Sequence, residues 1–315
     1  FWMWVIAFIG TATGFVESTL AQIYKIPRGH GLFHGGPAYY IQNALGQPAV
    51  AKLFAVLISV TFGLIYVSVQ ANTIALSMEK AFGIDTYLMG GVLAVLAGVV
   101  IFGGIQRVAS FSALLVPIMA GIYLLIALII FLMHIDQVPA MFALILHDAF
   151  SPQAAVGGGI GTAILTGIRR GLFSNEAGEG SIPNAAATAN VTHPVKQGLV
   201  QAFGVYVDTW IVCSATAFIV LLTGQYTIGG DTTGIALAQD SLASVFGPWA
   251  SSLLAVLIFL FAFSSVVGNY YYGEINIHFI TENTKPALFA YRLAVVAMVF
   301  FGCVAAFGLV WNLAD

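Results

Sequence analysis

From Val108 to Met133 no charged side chain interrupts the sequence, and long apolar runs recur along the whole chain. About 20 helical residues cross the ~30 Å hydrocarbon core of a bilayer, so repeated runs of about 18 or more read as membrane spans. Charged residues make up 7% of the 315-residue chain and its mean hydropathy is +0.96. A soluble globular domain carries about 25% charged residues. There is too little polar surface here to keep a monomer dissolved. A transmembrane barrel would show ~10-residue alternating segments instead. The fold class is therefore an all-α polytopic membrane protein.

Other classes fall away quickly. The formal net charge is −3, and no run of Lys or Arg marks a nucleic-acid partner. Cys213 and Cys303 sit inside apolar segments, which argues against a disulfide framework or a zinc site. No nucleophile elbow accompanies the acidic residues, so the chain does not read as an enzyme. It starts at Phe1-Trp2-Met3-Trp4, already inside a span, and reads as a fragment with sequence expected before Phe1 and after Asp315.

The apolar pattern places spans at 1–24, 49–82, 86–105, 109–133, 154–190, 195–223, 249–280 and 287–311, about eight transmembrane helices. Shorter pieces at 38–45, 138–149 and 232–247 are expected to lie at the interface. This layout puts Lys25, Arg28, Lys52, Arg107, Lys196, Lys285 and Arg292 on one side and Lys80 on the other. By the excess of Lys and Arg on the cytoplasmic side, the loops after the first, third, fifth and seventh spans face the cytoplasm.

The fifth span is the unusual one. It opens with Gly157-Gly158-Gly159-Ile160-Gly161 and then fills with polar residues in Arg169-Arg170-Gly171-Leu172-Phe173-Ser174-Asn175-Glu176-Ala177-Gly178-Glu179-Gly180-Ser181. A charge at a helix centre costs roughly 2.5–3.5 kcal/mol on insertion scales. The pattern predicts a broken transmembrane helix. Hydrocarbon cannot satisfy the N–H and C=O groups that a break exposes, so they must face protein or a watery cavity. A half-helix N-terminus suits a carboxylate, and released carbonyls suit a cation or an ammonium group. Gly171, Gly178 and Gly180 would allow non-helical angles and close approach of a ligand. Glu176 and Glu179 read as partners of Arg169 and Arg170, in a gate or a structural ion pair.

Three further spans carry polar groups. Gln70 and Thr73 lie three residues apart and share a helix face, turned to the bundle interior or spent on inter-helix hydrogen bonds. Asp208 belongs to an ion path or to an arginine pair. Ser264 and Ser265 are either helix-packing glue or part of an oxygen cage for a small hard cation.

Gly-Leu-Phe-Ser-Asn-Glu-Ala-Gly-x-Gly-Ser at 171–181 resembles the signature of the alanine or glycine:cation symporter family. Phe1-Trp2-Met3-Trp4, Gly35-Gly36-Pro37-Ala38-Tyr39-Tyr40, Val69-Gln70-Ala71-Asn72, Gly103-Gly104-Ile105-Gln106-Arg107, His193-Pro194-Val195-Lys196-Gln197-Gly198 and Tyr271-Tyr272-Gly273-Glu274 are similar too, in the family's order. Glu179 departs from the pattern, where an apolar residue is expected.

The resemblance implies a sodium-coupled importer of a small neutral amino acid, alanine or glycine, in a prokaryotic cell membrane, with no cofactor beyond the coupling ion. A passive channel and a proton-coupled transporter are the alternatives. The implied architecture is the leucine-transporter-type inverted-repeat fold, a single transporter domain over 1–315. Residues 1–149 would hold the rest of the first repeat and 150–315 most of the second. The first repeat's own broken helix is expected before Phe1. Phe173, Ser174, Asn175 and Gly178 would then form the substrate site, with Gln70 facing them. Ser264 and Ser265 would hold sodium, and Asp208 would be a weaker cation-path candidate.

Overall fold

The computed structural model describes residues 1–315 except 30–31, 104, 151–159, 229, 231, 282–283 and 315, with 29, 32, 105–115 and 160 described through their backbone alone. The Gly157-Gly158-Gly159 opening of the fifth span and the side chain of Arg107 lie outside the described residues.

Helices dominate. In chain order they are α1 (Trp2–Ile23), α2 (Pro37–Leu45), α3 (Pro48–Phe82), α4 (Thr86–Gly103), α5 (Ile105–Met133), α6 (Val138–Phe150) and α7 (Ile160–Asn175). Then come α8 (Ile182–Ala186), α9 (Pro194–Thr223), α10 (Gly234–Phe246), α11 (Pro248–Ile280), α12 (Thr284–Val304) and α13 (Phe307–Ala314). Between α1 and α2 the Gly/Pro-rich segment forms a small antiparallel ribbon, β1 (Ile26–Gly29) with β2 (Leu32–His34), in which Ile26 pairs with His34.

Seven of these helices are long and apolar enough to cross a membrane among the described residues. The eighth expected span is the interrupted one: among the described residues α7 has 16 residues and α8 has 5. Among the described residues two spans carry a wider π-helical turn, Thr61–Tyr66 in α3 and Tyr206–Cys213 in α9. Such turns widen a helix locally and re-aim its side chains. The last expected span, 287–311, divides at Ala305 into α12 and α13. Asn72 stands at that division, its Nδ2 donating to the carbonyls of Gly302 (2.9 Å) and Ala305 (3.0 Å).

The chain forms two compact units, each drawing on both halves of the sequence: 1–54 with 129–218, and 55–128 with 219–315. The second packs α4, α11 and α12 around α3, with Val67, Ile74, Leu93, Tyr270, Val295 and Val299 in its core. Its helices approach closely because small residues face backbone. A Cβ on Gly302 would strike the carbonyl of Ser68. In lipid, where tails are as apolar as leucine, such contact supplies the packing. The outward side of α4, with Leu88, Val95 and Val99 mostly exposed, needs no polar covering if lipid surrounds it.

In the first unit α1 lies along α7 and α9. Gly167 and Gly171, one turn apart, let α7 come within contact of Trp2, Met3 and Ile6; a Cβ on Gly167 would lie 2.5 Å from that of Trp2. This corrects the expectation for Gly171. It is helical, and the absence of a side chain there serves close packing, while Gly178 and Gly180 form the break.

Candidate functional site

The interruption of the fifth span is a change in where backbone donors go. A continuous helix would send the N–H groups of Ala177, Gly178 and Glu179 to the carbonyls of Phe173, Ser174 and Asn175. Ala177 N–H instead bonds to Asn175 Oδ1 (3.0 Å), Gly178 N–H to Glu17 Oε1 on α1 (3.3 Å) and Glu179 N–H to the Glu176 carbonyl (3.1 Å). Three consecutive carbonyls thereby lose their helical donors.

The backbone needed for this is left-handed at three places: Glu176 at φ 56°, Gly178 at 93° and Gly180 at 84°. Glycine takes these angles without penalty. Glu176 carries a cost of order 1–3 kcal/mol, of the kind concentrated at functional sites. A hydrogen bond from Ser181 Oγ to Glu176 Oε2 (2.5 Å) closes the loop over its own strain.

Below the break, α8 is held from α1. Gln22 Nε2 donates to the carbonyls of Ala186 (2.5 Å) and Ala189 (2.9 Å), and Lys25 Nζ donates to Ala189 O and Gln22 Oε1, both at 2.7 Å. These satisfy carbonyls that the helix end leaves open. With five residues and Pro183 in its first turn, α8 offers few N–H groups and little dipole. The carboxylate site expected at a half-helix N-terminus therefore has a weak basis, and the released carbonyls are the stronger feature. Glu17 is buried among α1, the break and Tyr40. Burial and the adjacent Glu17 carboxylate push the Tyr40 phenol above its usual range.

On the other side of the break stands α9. Ser174 Oγ donates to Asp208 Oδ2 and lies 2.8 Å from Cys213 Sγ. Asn175 Nδ2 donates to Thr209 Oγ1 (3.0 Å), and Thr209 Oγ1 donates onward to Asp208 Oδ2 (3.2 Å). Asn175 is thus occupied at both ends of its amide and only 7% exposed; it braces the unwound segment against α9. The π-helical turn is what brings Asp208, Thr209 and Cys213 to this one face.

A cavity of about 240 Å³ opens between the broken helix and α9. Ser174 and Asn175 line it from α7, Glu176 from the break and Ile182 from α8. From α9 it is lined by Gln201, Gly204, Val205 and Asp208, positions i, i+3, i+4 and i+7 of one helical face. Drug-sized ligands occupy about 300–1,000 Å³, so this space suits a smaller solute.

The Arg170 guanidinium lies over the Phe173 ring, 5.6 Å from its centre, and Arg169 is exposed one residue before it on α7. Glu179 lies in the loop of the break and Gly178 at its exposed tip. Gln70, Ser264 and Ser265 belong to the second unit. Gln70 is half-exposed on α3. Ser264 and Ser265 both donate to the Phe261 carbonyl, at 2.7 and 3.2 Å. Their own oxygens keep lone pairs for another partner. Among the described residues no group of three His, Cys, Asp or Glu side chains converges as a metal site.

Several site residues escaped the sequence reading: Glu17, Gln22, Gln201, Gly204 and Thr209. The spacing of Gln201, Gly204, Val205 and Asp208 was the available signal for the α9 face. Nothing local to α1 distinguished Glu17 and Gln22 from interfacial residues.

The same residues have known relatives. The model of the sodium:alanine symporter family matches residues 1–315. The chain is 51% identical over its full length to the probable sodium/glutamine symporter GlnT of Bacillus subtilis, covering 65% of that protein. It is 53% identical to the amino-acid carrier protein AlsT of the same organism, covering 67%. Against the sodium/alanine symporter AgcS of Methanococcus maripaludis the identity is 37%, with 70% of that protein covered. The chain thus spans about two thirds of the length of the curated relatives it matches. A match along its entire length makes this chain, with its interrupted helix, a member of the sodium:alanine symporter family.

Proposed function

We propose that this chain is part of a secondary active symporter that imports a small neutral amino acid, alanine or glycine, together with sodium by alternating access. The observation that carries the reading is the release of the Phe173, Ser174 and Asn175 carbonyls from their helical donors. In a membrane such groups persist only against protein or a water-lined cavity, and the cavity beside Ser174 and Asn175 supplies it. Carbonyl dipoles aimed at one point stabilise an ammonium group or a small cation without a covalent step.

In this reading Phe173, Ser174, Asn175 and Gly178 form the substrate site on the first unit. Gln70 is assigned to the same function, supported by an amide that makes no hydrogen bond among the described residues. Ser264 and Ser265 are assigned to sodium, supported by the back-bonding that leaves their oxygen lone pairs available. Asp208 contributes negative potential to the cavity as a cation-path residue. Arg169, Arg170, Glu176 and Glu179 serve as gate or ion-pair residues. The architecture is the leucine-transporter-type inverted repeat, with 1–149 and 150–315 in successive repeats. The loops after α1, α4, α8 and α11 face the cytoplasm, as their Lys and Arg content supports.

The test is uptake of labelled alanine into proteoliposomes holding the full-length protein, with and without an inward sodium gradient. Concentrative uptake that needs the gradient is expected. Uptake independent of sodium removes the coupling assignment, passive equilibration favours a channel, and no amino-acid uptake removes the function.

A further inference from the structure

Helix α12 grips α3 at two levels. Near the start of α12 the Tyr291 hydroxyl donates to the Ser59 carbonyl (3.1 Å). Towards its end Cys303 Sγ donates to the Ala71 carbonyl (3.4 Å), and Asn72 Nδ2 donates to the carbonyls of Gly302 and Ala305. The π-helical turn Thr61–Tyr66 lies between the two grips, and Gln70 stands beside the second.

The Tyr291 hydroxyl reaches Ser59 through a slot that two glycines leave open. A Cβ on Gly63, inside the wide turn of α3, would lie 1.5 Å from Tyr291 Oη, and one on Gly273 of α11 would lie 1.6 Å from it. The hydroxyl thus takes the place of both missing methyl groups where three helices meet. Tyr291 is buried, and its ring stacks on that of the fully buried Tyr270, with 6.2 Å between centroids. Tyr270 is fixed in turn by Arg292 Nε, which donates to its hydroxyl (2.8 Å). A buried tyrosine hydroxyl takes a partner; here that partner is backbone at the edge of an irregular turn. Groups that insert into a helical ladder distort it locally, and single π-helical turns recur at functional sites.

We infer that Tyr291 is a positioning residue for transport: its hydroxyl props the wide turn of α3 open and so holds Gln70 in its working direction, which rests on the assignment of Gln70 to the substrate site proposed above. Adding a residue to a turn, or taking one away, rotates the helix beyond it by about 100°. Closing the turn to α-helical spacing would therefore swing the segment of Gln70 against its present grip on α12. Val69 and Ala71 on either side of Gln70 are buried, while Gln70 is half-exposed. The amide leaves the core of the second unit in this register, and a rotation of that size would exchange it with an apolar neighbour.

The test is a double-mutant cycle on equilibrium binding of labelled alanine to the full-length protein in detergent with saturating sodium. Tyr291→Phe removes the hydroxyl, and Gly63→Ala displaces it while leaving the phenol intact. Each is made with and without Gln70→Ala. Residues that act through one another give non-additive effects. Tyr291→Phe is expected to weaken alanine binding about fivefold or more when Gln70 is present and to change nothing once Gln70 is replaced. Gly63→Ala should follow the same pattern. A purely structural role would weaken binding by the same factor in both backgrounds.

Equal factors in the two backgrounds overturn the positioning role, and so does unaltered affinity in Tyr291→Phe. If Tyr291→Phe does not fold, the Gly63→Ala cycle decides by the same criterion; failure of both to fold assigns the hydroxyl to stability alone and overturns the role. Gln70→Ala protein that binds alanine as the parent does removes Gln70 from the substrate site and the positioning role with it, and leaves the assignment of the unwound segment standing.

Discussion

Replacing Asn175 by Ala removes the brace between the unwound segment and α9. The amide is 7% exposed and holds Ala177 N–H through Oδ1 and Thr209 Oγ1 through Nδ2, each at 3.0 Å. A buried N–H left without an acceptor costs about 1–3 kcal/mol, and the lost bond to Thr209 a further ~0.5–1.5 kcal/mol. Thr209 still donates to Asp208, so its hydroxyl is not stranded. The combined effect is about 2–4 kcal/mol against the unwound shape. If substrate binds only that shape, each 1.4 kcal/mol weakens binding tenfold. Alanine should then bind the variant about 30-fold more weakly, or worse. The assay is equilibrium binding of labelled alanine to full-length protein in detergent with saturating sodium, on variants whose elution profile matches the parent. Thr209→Val, which takes away the other end of the brace, should move affinity in the same direction by less. A well-folded Asn175→Ala protein that binds alanine within threefold of the parent would refute the role given to the break.

Three further outcomes follow from the same geometry. Gly178→Ala should lose most uptake, because φ 93° disfavours any side chain and its Cβ would sit 3.3 Å from Thr13 Cγ2; full activity would show that the left-handed angle is dispensable. Glu17→Gln keeps an acceptor for Gly178 N–H and should retain uptake within about threefold, whereas Glu17→Ala should lose about tenfold for the orphaned amide. Equal loss in both variants would assign the effect to charge and not to the hydrogen bond. The double variant Ser264→Ala, Ser265→Ala should raise the sodium concentration for half-maximal uptake about tenfold or more at fixed alanine, two oxygen ligands being lost; an unchanged sodium dependence would remove both from the cation site.

How much of this was legible in the sequence depended on the range of the interaction. Apolar runs set span positions within a few residues, since hydrocarbon thickness alone dictates helix length. The break at 176–181 was legible because glycines and charges cannot accumulate in a span without structural consequence. The division of the last span at Ala305 was not. Asn72 satisfies its carbonyls from far along the chain, and nothing between 287 and 311 announces it. Gly171 reads in the sequence as part of the break because glycine has two uses, and only the packing of α1 separates them. Glu17 and Gln22 acquire meaning solely from the backbone groups they reach, which lie more than a hundred residues away. The bracing of Asn175 follows from the π-helical turn in α9, whose residues carry no local signature of it.

The central claim is that the unwound segment of the interrupted span holds the amino acid. Amide hydrogen exchange across 173–181, measured on the full-length protein with sodium alone, alanine alone and both together, addresses it without relying on any substitution. The account predicts slowed exchange at Ala177, Gly178 and their neighbours, strongest when sodium and alanine are present together. Demonstrated alanine binding with exchange at 173–181 unchanged would contradict it.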